Sequence, residues 1–263
     1  MSLFLNDGFI GYKPYDVSSY VGSDSAENYE KLLKSKPSDW YYKDLPIEYS
    51  LNMKGHRSKD VAYLNLKDYI LFLGCSQTFG VGNRLEDTYP FLLSQKLNCD
   101  YYNLAIGGAG SDTAYHNLNM WLTKFQNHMP KLIVWQWIYS GRFLGRLDTN
   151  RYDVFTPFGA WIGKTNVDKI LVLQEEFSIF DTRDILISEF LKHLNKKIPV
   201  IELSPLEFRA PVTGEQKLRT VEFFAIDGAR DEAHYGFETN KLLVEEISSK
   251  FKENHHKWIG SYA

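Results

Sequence analysis

Cysteine is scarce in this chain of 263 residues, which carries only Cys75 and Cys99. Two thiols make no disulfide framework, and no Cys or His pairs stand at metal-ligand spacing, so neither an oxidised scaffold nor a metal centre is expected. No apolar run reaches the roughly 20 residues of a membrane span. No basic block occurs either. Lys and Arg number 30 against 33 Asp and Glu, the net charge is −3 and the pI is about 6.2, so nucleic acid is not an expected partner. The N-terminus, Met1-Ser2-Leu3-Phe4-Leu5-Asn6-Asp7, has no basic region before a long apolar core. It is therefore not read as a signal peptide, and a soluble, cytoplasmic protein is expected. Internal repeats and low-complexity tracts are absent as well. Aromatic residues, by contrast, are plentiful at 15%, with 17 Tyr, 17 Phe and 6 Trp. Their plain reading is a well-filled core with tyrosines at its margin, and their sharper reading is a sugar-stacking surface.

The length suits one α/β domain. Residues 1–65 are rich in Asp, Ser, Lys and Tyr and weakly periodic, which predicts an N-terminal extension packing on a core, with one short helix from Ala26 to Lys34. From residue 66 to 263 strand and helix patterns alternate. Strands are expected at Tyr69–Cys75, Tyr101–Ile106, Leu132–Trp137, Val200–Leu203 and Phe223–Ile226. Helices are expected at Thr88–Leu97, at Ser111–Asn127 with Ser111 or Asp112 as its cap, and at Phe237–Phe251. Residues 167–196 read as mostly helical, and residues 141–166 as an insertion with its own turns. Alternation of this kind predicts a parallel sheet with helices on both faces.

The most informative segment is Gly74-Cys75-Ser76-Gln77-Thr78-Phe79-Gly80, directly after the apolar run Tyr69–Leu73. A glycine at the strand end permits a sharp turn, and the turn lifts the Ser76 hydroxyl to the carboxyl edge of the sheet, where open α/β sheets bind ligands. A serine nucleophile needs a base and a group that orients the base. Of the seven histidines, His255 and His256 fall in a polar tail, His116, His128 and His193 fall on predicted helices, and His56 falls in the extension. His234 stands apart. It closes Asp231-Glu232-Ala233-His234 between the fifth strand and the last helix, and the three-residue spacing brings Asp231 toward its ring. The second strand leads into Gly107-Gly108-Ala109-Gly110, whose backbone N–H groups are candidate oxyanion donors.

Together these blocks resemble the SGNH or GDSL family of ester hydrolases over about residues 66–252. The family's first block is matched by Gly74-Cys75-Ser76, its second by the glycines after Asn103, and its Asp-x-x-His block by Asp231 and His234. The upstream Asn52-Met-Lys-Gly55-His56-Arg57 is similar to an Asn-x-x-Gly-Phe-Arg segment of some members. The resemblance implies a three-layer α/β/α, flavodoxin-like fold of about five parallel strands in the order 2-1-3-4-5. It also implies a Ser76–His234–Asp231 triad with the Ser76 and Gly108 N–H groups in the oxyanion hole, and no cofactor. The third block departs from the family: no asparagine occurs between Asn127 and Asn150, and Ser140 falls near that position. Ser140 is therefore the candidate third donor. Gln77, Gly107, Gln136 and Arg142 are the further candidates for touching substrate.

The expected substrate is a small-molecule or glycan ester, with a tilt toward a carbohydrate O-acetyl ester from the aromatic content. The alternatives are an O-acyltransferase acting on a glycan and a non-catalytic glycan-binding module. Cys75 is a rival nucleophile, although Ser76 holds the matching position. Gly159-Ala-Trp-Ile-Gly163-Lys164-Thr165 is similar to a phosphate-binding loop, but it is one residue short and carries Trp and Ile where the backbone would have to surround a phosphate.

Overall fold

In the computed structural model, residues 2–139, 141–145, 153–159, 179–206 and 219–259 are described. The chain opens with four short strands, β1 (Leu3–Asn6), β2 (Phe9–Gly11), β3 (Val17–Ser18) and β4 (Tyr49–Ser50), and helix α1 (Ala26–Ser35) lies between the last two. Strand β5 (Tyr69–Leu73) leads directly into a single helical turn, α2 (Ser76–Phe79). Then come α3 (Tyr89–Lys96), β6 (Asp100–Asn103), α4 (Ser111–Lys124) and β7 (Leu132–Gln136). Two further short strands, β8 (Phe143–Gly145) and β9 (Val154–Phe158), precede α5 (Ile179–Leu194). The chain continues through β10 (Val200–Pro205), β11 (Thr220–Phe223) and α6 (Phe237–Ile259).

The central sheet has the order β11-β10-β7-β5-β6, and all its pairs are parallel. Counted along the chain this is 2-1-3-4-5, the flavodoxin-like order expected. β5, β7 and β10 are buried along their whole length, as an inner parallel strand must be when helices cover both faces. On one face Leu118 and Trp121 of α4 and Ile187 and Leu191 of α5 pack on Leu71, Leu73, Ile133 and Trp135. On the other, Tyr89 and Leu93 of α3 and Leu243, Val244 and Ile247 of α6 pack on Ile70, Phe72, Val134 and Leu203. The fold is a three-layer α/β/α sandwich. Its reversal of strand order falls between β5 and β7, and in such sheets the cleft above that point is the ligand-binding edge.

The extension is more ordered than its composition suggests. β1 pairs with both β2 and β9, so the N-terminus and the insertion share one four-stranded antiparallel sheet, β2-β1-β9-β8. A third apolar cluster, with Tyr12, Tyr42, Ile47 and Tyr49 from the extension and Phe79, Ile106 and Ala229 from the core, seals it over the carboxyl ends of the central strands.

Several expected boundaries shift. β6 ends at Asn103 rather than at residue 106, because the Asn103 side chain takes the Ala105 N–H at 3.1 Å and turns the chain out of the sheet. β11 covers 220–223, and Ala225 and Ile226 lie in the loop beyond it. The cap of α4 is Gly110 rather than Ser111 or Asp112. Ser111 Oγ is buried without a partner, and Asp112 instead binds the Thr113 and Leu144 N–H groups. α6 runs eight residues past the expected Phe251, to Ile259. The expected helix at 167–178 and the phosphate-loop-like residues 160–165 lie outside the described residues.

Candidate active site

Gly74 allows the chain to double back after β5. A Cβ there would stand 2.1 Å from Thr78 Oγ1 and 3.0 Å from Gln136 Cβ, so only glycine fits. The turn brings Ser76 to the head of α2, nearly buried at 9% exposure. Two side chains brace the turn. Asn103 Nδ2 donates to the Thr78 carbonyl at 2.8 Å. Arg57, fully buried, donates through its two terminal nitrogens to the carbonyls of Phe79, Gly80, Glu48 and Asn83. Burial lowers Arg57 to about 10, which leaves it charged at neutral pH, and its guanidinium lies over the Tyr49 ring at 4.4 Å.

His234 Nδ1 lies 2.6 Å from Asp231 Oδ2. The expected i,i+3 geometry is thus present, made possible by a left-handed turn at Glu232 with φ of 60°. Asp231 Oδ1 accepts the N–H groups of Ala233 and His234, both at 3.2 Å. Oδ2 also accepts the Ser23 hydroxyl at 2.6 Å. Burial works against the Asp231 charge, but the hydrogen bonds from His234 and Ser23 and the attraction of His234 outweigh it, and the carboxyl titrates below its usual range. With Nδ1 occupied, Nε2 of His234 is the nitrogen left for a reacting group.

Ser76 and His234 line two cavities that meet between them. They do not hydrogen-bond in this structure, where the contact of Ser76 Oγ is Cys75 Sγ at 3.9 Å. In sites without substrate such bonds are often long and close only in the complex. Cys75 belongs to the apolar cluster beneath the turn and touches the larger cavity, whereas Ser76 lines both cavities.

Gly108 has φ of +78°, a left-handed conformation that glycine takes without strain, and it lines the smaller cavity beside Ser76 and Gly107. The Tyr12 hydroxyl donates to the Gly107 carbonyl at 3.1 Å, which fixes the peptide plane carrying the Gly108 N–H. Among the described residues the backbone N–H groups of Ser76 and Gly108 have no hydrogen-bond partner.

The other candidates divide. Gln77 Oε1 accepts the Tyr235 N–H at 2.8 Å, tying α2 to the histidine loop. Gln136 lines the larger cavity, but its amide is engaged with Thr78 Oγ1 and, at 3.3 Å, with the Tyr235 hydroxyl. Arg142 stands where the cavities meet. Ser140 lies outside the described residues. His56 is buried between Ile10 and Tyr102, and burial lowers it to about 4, so it sits neutral in the core. Among the described residues no cluster of His, Cys, Asp and Glu could hold a metal ion, and no helix is long and apolar enough to cross a membrane.

Sequence reasoning missed the hold of the extension on the histidine loop. Beside Ser23, Asp24 receives Arg230 through two bonds, at 2.8 and 2.7 Å, and also binds the Tyr49 hydroxyl. Arg230 precedes Asp231 in the chain, and both charges are almost fully buried. Arg230→Met would leave Asp24 buried without its cation. Such a break costs about 3–5 kcal/mol, so the variant's denaturant midpoint should drop accordingly with an unchanged slope. A loss under about 1 kcal/mol would mean that water already reaches this pair.

No protein-family model matches the chain, and comparison with curated proteins gives no match. Solved structures do align with it. A family two carbohydrate esterase from Clostridium thermocellum, in complex with cellohexaose, shares 16% identity at a TM-score of 0.45 over 74% of this chain and 66% of its own. An acetyl xylan esterase, Est2A, from the rumen bacterium Butyrivibrio proteoclasticus shares 14% at 0.40, over 73% and 64%. TesA shares 16% at 0.39, over 70% of this chain and 98% of its own. The chain thus spans slightly under two thirds of the length of both carbohydrate esterases.

Proposed function

We propose that the chain is a serine ester hydrolase of the SGNH type, with Ser76 as nucleophile, His234 as base and Asp231 as the residue that orients His234. One observation carries the reading. A serine at the head of a strand-turn-helix and a histidine whose Nδ1 is held 2.6 Å from a buried carboxylate open onto the same two cavities. In the reaction Ser76 Oγ bonds to the ester carbonyl carbon while His234 Nε2 takes the hydroxyl proton. The carbonyl electron pair moves to oxygen, where the Ser76 and Gly108 N–H groups receive it. Collapse breaks the bond to the alcohol, which leaves with the proton from His234. Water then repeats the sequence, releasing the acid and restoring Ser76. No cofactor enters.

The larger cavity, about 620 Å³, is the side for the alcohol. It holds the histidine loop, which must protonate the leaving oxygen. Tyr139, Arg142, Asp227 and Glu232 on its wall suit a polar alcohol such as a sugar.

The test is a fluorophosphonate probe on the intact protein, followed by peptide mass mapping. One equivalent of adduct on Ser76 is expected. An unlabelled protein would sink the hydrolase reading, and retained glycan binding would then favour a non-catalytic module. A label on Cys75 would move the nucleophile by one residue.

A further inference from the structure

The two cavities that meet at Ser76 differ in chemistry. The larger has charged and hydroxyl-bearing walls, as described. The smaller, about 460 Å³, shares Ser23, Ser76, Arg142 and His234 with the larger at their junction, and beyond it is walled by Tyr12, Val21, Val81 and Pro157 and reaches the glycines Gly107 and Gly108. We propose that the smaller cavity is an acyl-chain pocket, and that the preferred substrate carries a medium-length linear acyl group rather than acetyl. This rests on the hydrolase reading above.

The geometry of acyl transfer assigns the sides. The tetrahedral carbon on Ser76 carries three further groups: the oxyanion, the leaving alcohol and the acyl chain. His234 lines both cavities, and the rest of its loop, Asp227 to Tyr235, walls the larger one, so the alcohol that takes its proton is assigned to that side. The oxyanion faces the Gly108 N–H. The chain is left the remaining direction, past Gly107 toward Tyr12 and Val21. Away from the shared Arg142 its walls there are apolar: the Tyr12 hydroxyl is already donated to the Gly107 carbonyl and the Ser23 hydroxyl to Asp231.

Size argues for a chain rather than a methyl group. The cavity falls in the 300–1,000 Å³ range of small-molecule pockets. An acetyl methyl, about as large as a water molecule at roughly 30 Å³, would leave nearly all of it wet, whereas eight such groups fill about half. Each methylene moved from water into an apolar pocket gains about fourfold in binding. The walls come from the extension, through Tyr12 just after β2 and Val21 before α1, and from β9 through Pro157, so the N-terminal segment and the insertion build the pocket together.

The experiment measures kcat/KM for p-nitrophenyl acetate, butyrate, hexanoate and octanoate. A rise of tenfold or more from acetate to octanoate is expected. Val21→Trp, at a half-buried position whose bridge to Asp24 is made by backbone alone, should cut the octanoate-to-acetate ratio at least tenfold. Should that variant not fold, alkylboronic acids give a second reading on the intact protein. They bond to the serine and lay the alkyl group in the acyl position, so hexylboronic acid should inhibit at least tenfold more tightly than methylboronic acid. Acetate as the best ester, equal inhibition by both boronic acids, or an unmoved ratio in folded Val21→Trp would each overturn the pocket. If Ser76 takes the phosphonate label and acetate is preferred, only the pocket assignment fails. If Ser76 takes no label and no ester turns over, the hydrolase reading falls and the pocket with it.

Discussion

Replacing Ser76 with alanine is expected to lower kcat for ester hydrolysis by about 10⁶ and to abolish phosphonate labelling, with little change in KM. The size of the effect follows from the unity of the mechanism. Without Oγ no acyl-enzyme forms, and the residual rate is what binding and the oxyanion donors give to direct attack by water. Little structural cost should accompany it, because the contact of the hydroxyl is a distant one, to Cys75 Sγ at 3.9 Å. Stability within about 1 kcal/mol of the parent separates this result from misfolding. Cys75→Ala is the control. Cys75 packs in the core beneath the turn, so its loss should leave the phosphonate label on Ser76. A Ser76→Ala protein that kept more than about a hundredth of its activity would remove the nucleophile assignment.

The parts of this site that were legible in the sequence are those made by short-range geometry. The apolar run Tyr69–Leu73 followed by a glycine specifies a buried strand and a turn, and it forms both. Asp231 and His234, three residues apart, meet because one turn of chain suffices. Strand order could be expected only through the family resemblance, and the sheet has that order.

What escaped is long-range. Ser23 and Asp231 are 208 residues apart, and a serine in a polar stretch carries no pattern that distinguishes a ligand of a carboxylate from a solvated hydroxyl. The same holds for Tyr12 on Gly107, across 95 residues. β1 to β4 are two to four residues long, too short for alternation to register, and β1 is specified by its partners β2 and β9 rather than by its own sequence. Arg57 was visible as part of a segment, but its work was not. It binds carbonyls rather than a carboxylate, so no acidic residue in the sequence marks its position.

These misses have one physical theme. Each reaches from the extension to a different block of the proposed site: Arg57 to the carbonyls that end α2, Tyr12 to the peptide carrying the Gly108 N–H, and Ser23 with Asp24 to the histidine loop. The first 60 residues therefore act as the frame in which three loops from separate strand ends are held together. In catalysis by preorganised groups, that positioning is itself a large share of the rate.

Asp231→Asn is expected to lower kcat by about 10⁴ with KM little changed, because it reverses the proton arrangement on His234. Asp231 Oδ1 accepts two backbone N–H groups, and Oδ2 accepts His234 Nδ1–H and Ser23 Oγ–H. An asparagine can place its carbonyl at only one of these positions. Facing the backbone donors, it turns its NH₂ toward His234. A donor there requires Nδ1 to be bare, so the ring proton moves to Nε2, and Nε2 can no longer take the Ser76 proton. Facing His234 instead, it sets the NH₂ against two N–H donors, leaving them unpaired in a buried turn at about 1–3 kcal/mol each. The first arrangement costs less, so the protein should fold and bind substrate while losing its base. The pH dependence follows from the direction of the Asp231 shift. The folded carboxyl titrates below its usual range, so its charge, and the stability that charge contributes, persist above the ordinary carboxylate pKa. Both are lost only as pH falls through the depressed value, and Asp231→Asn should lack that acid-side loss of stability. The nitrogen-15 shifts of the His234 ring read the tautomer directly: the proton should sit on Nδ1 in the parent and on Nε2 in the variant. A variant with its proton still on Nδ1, or one within about tenfold of full kcat, would mean that Asp231 does not orient the base.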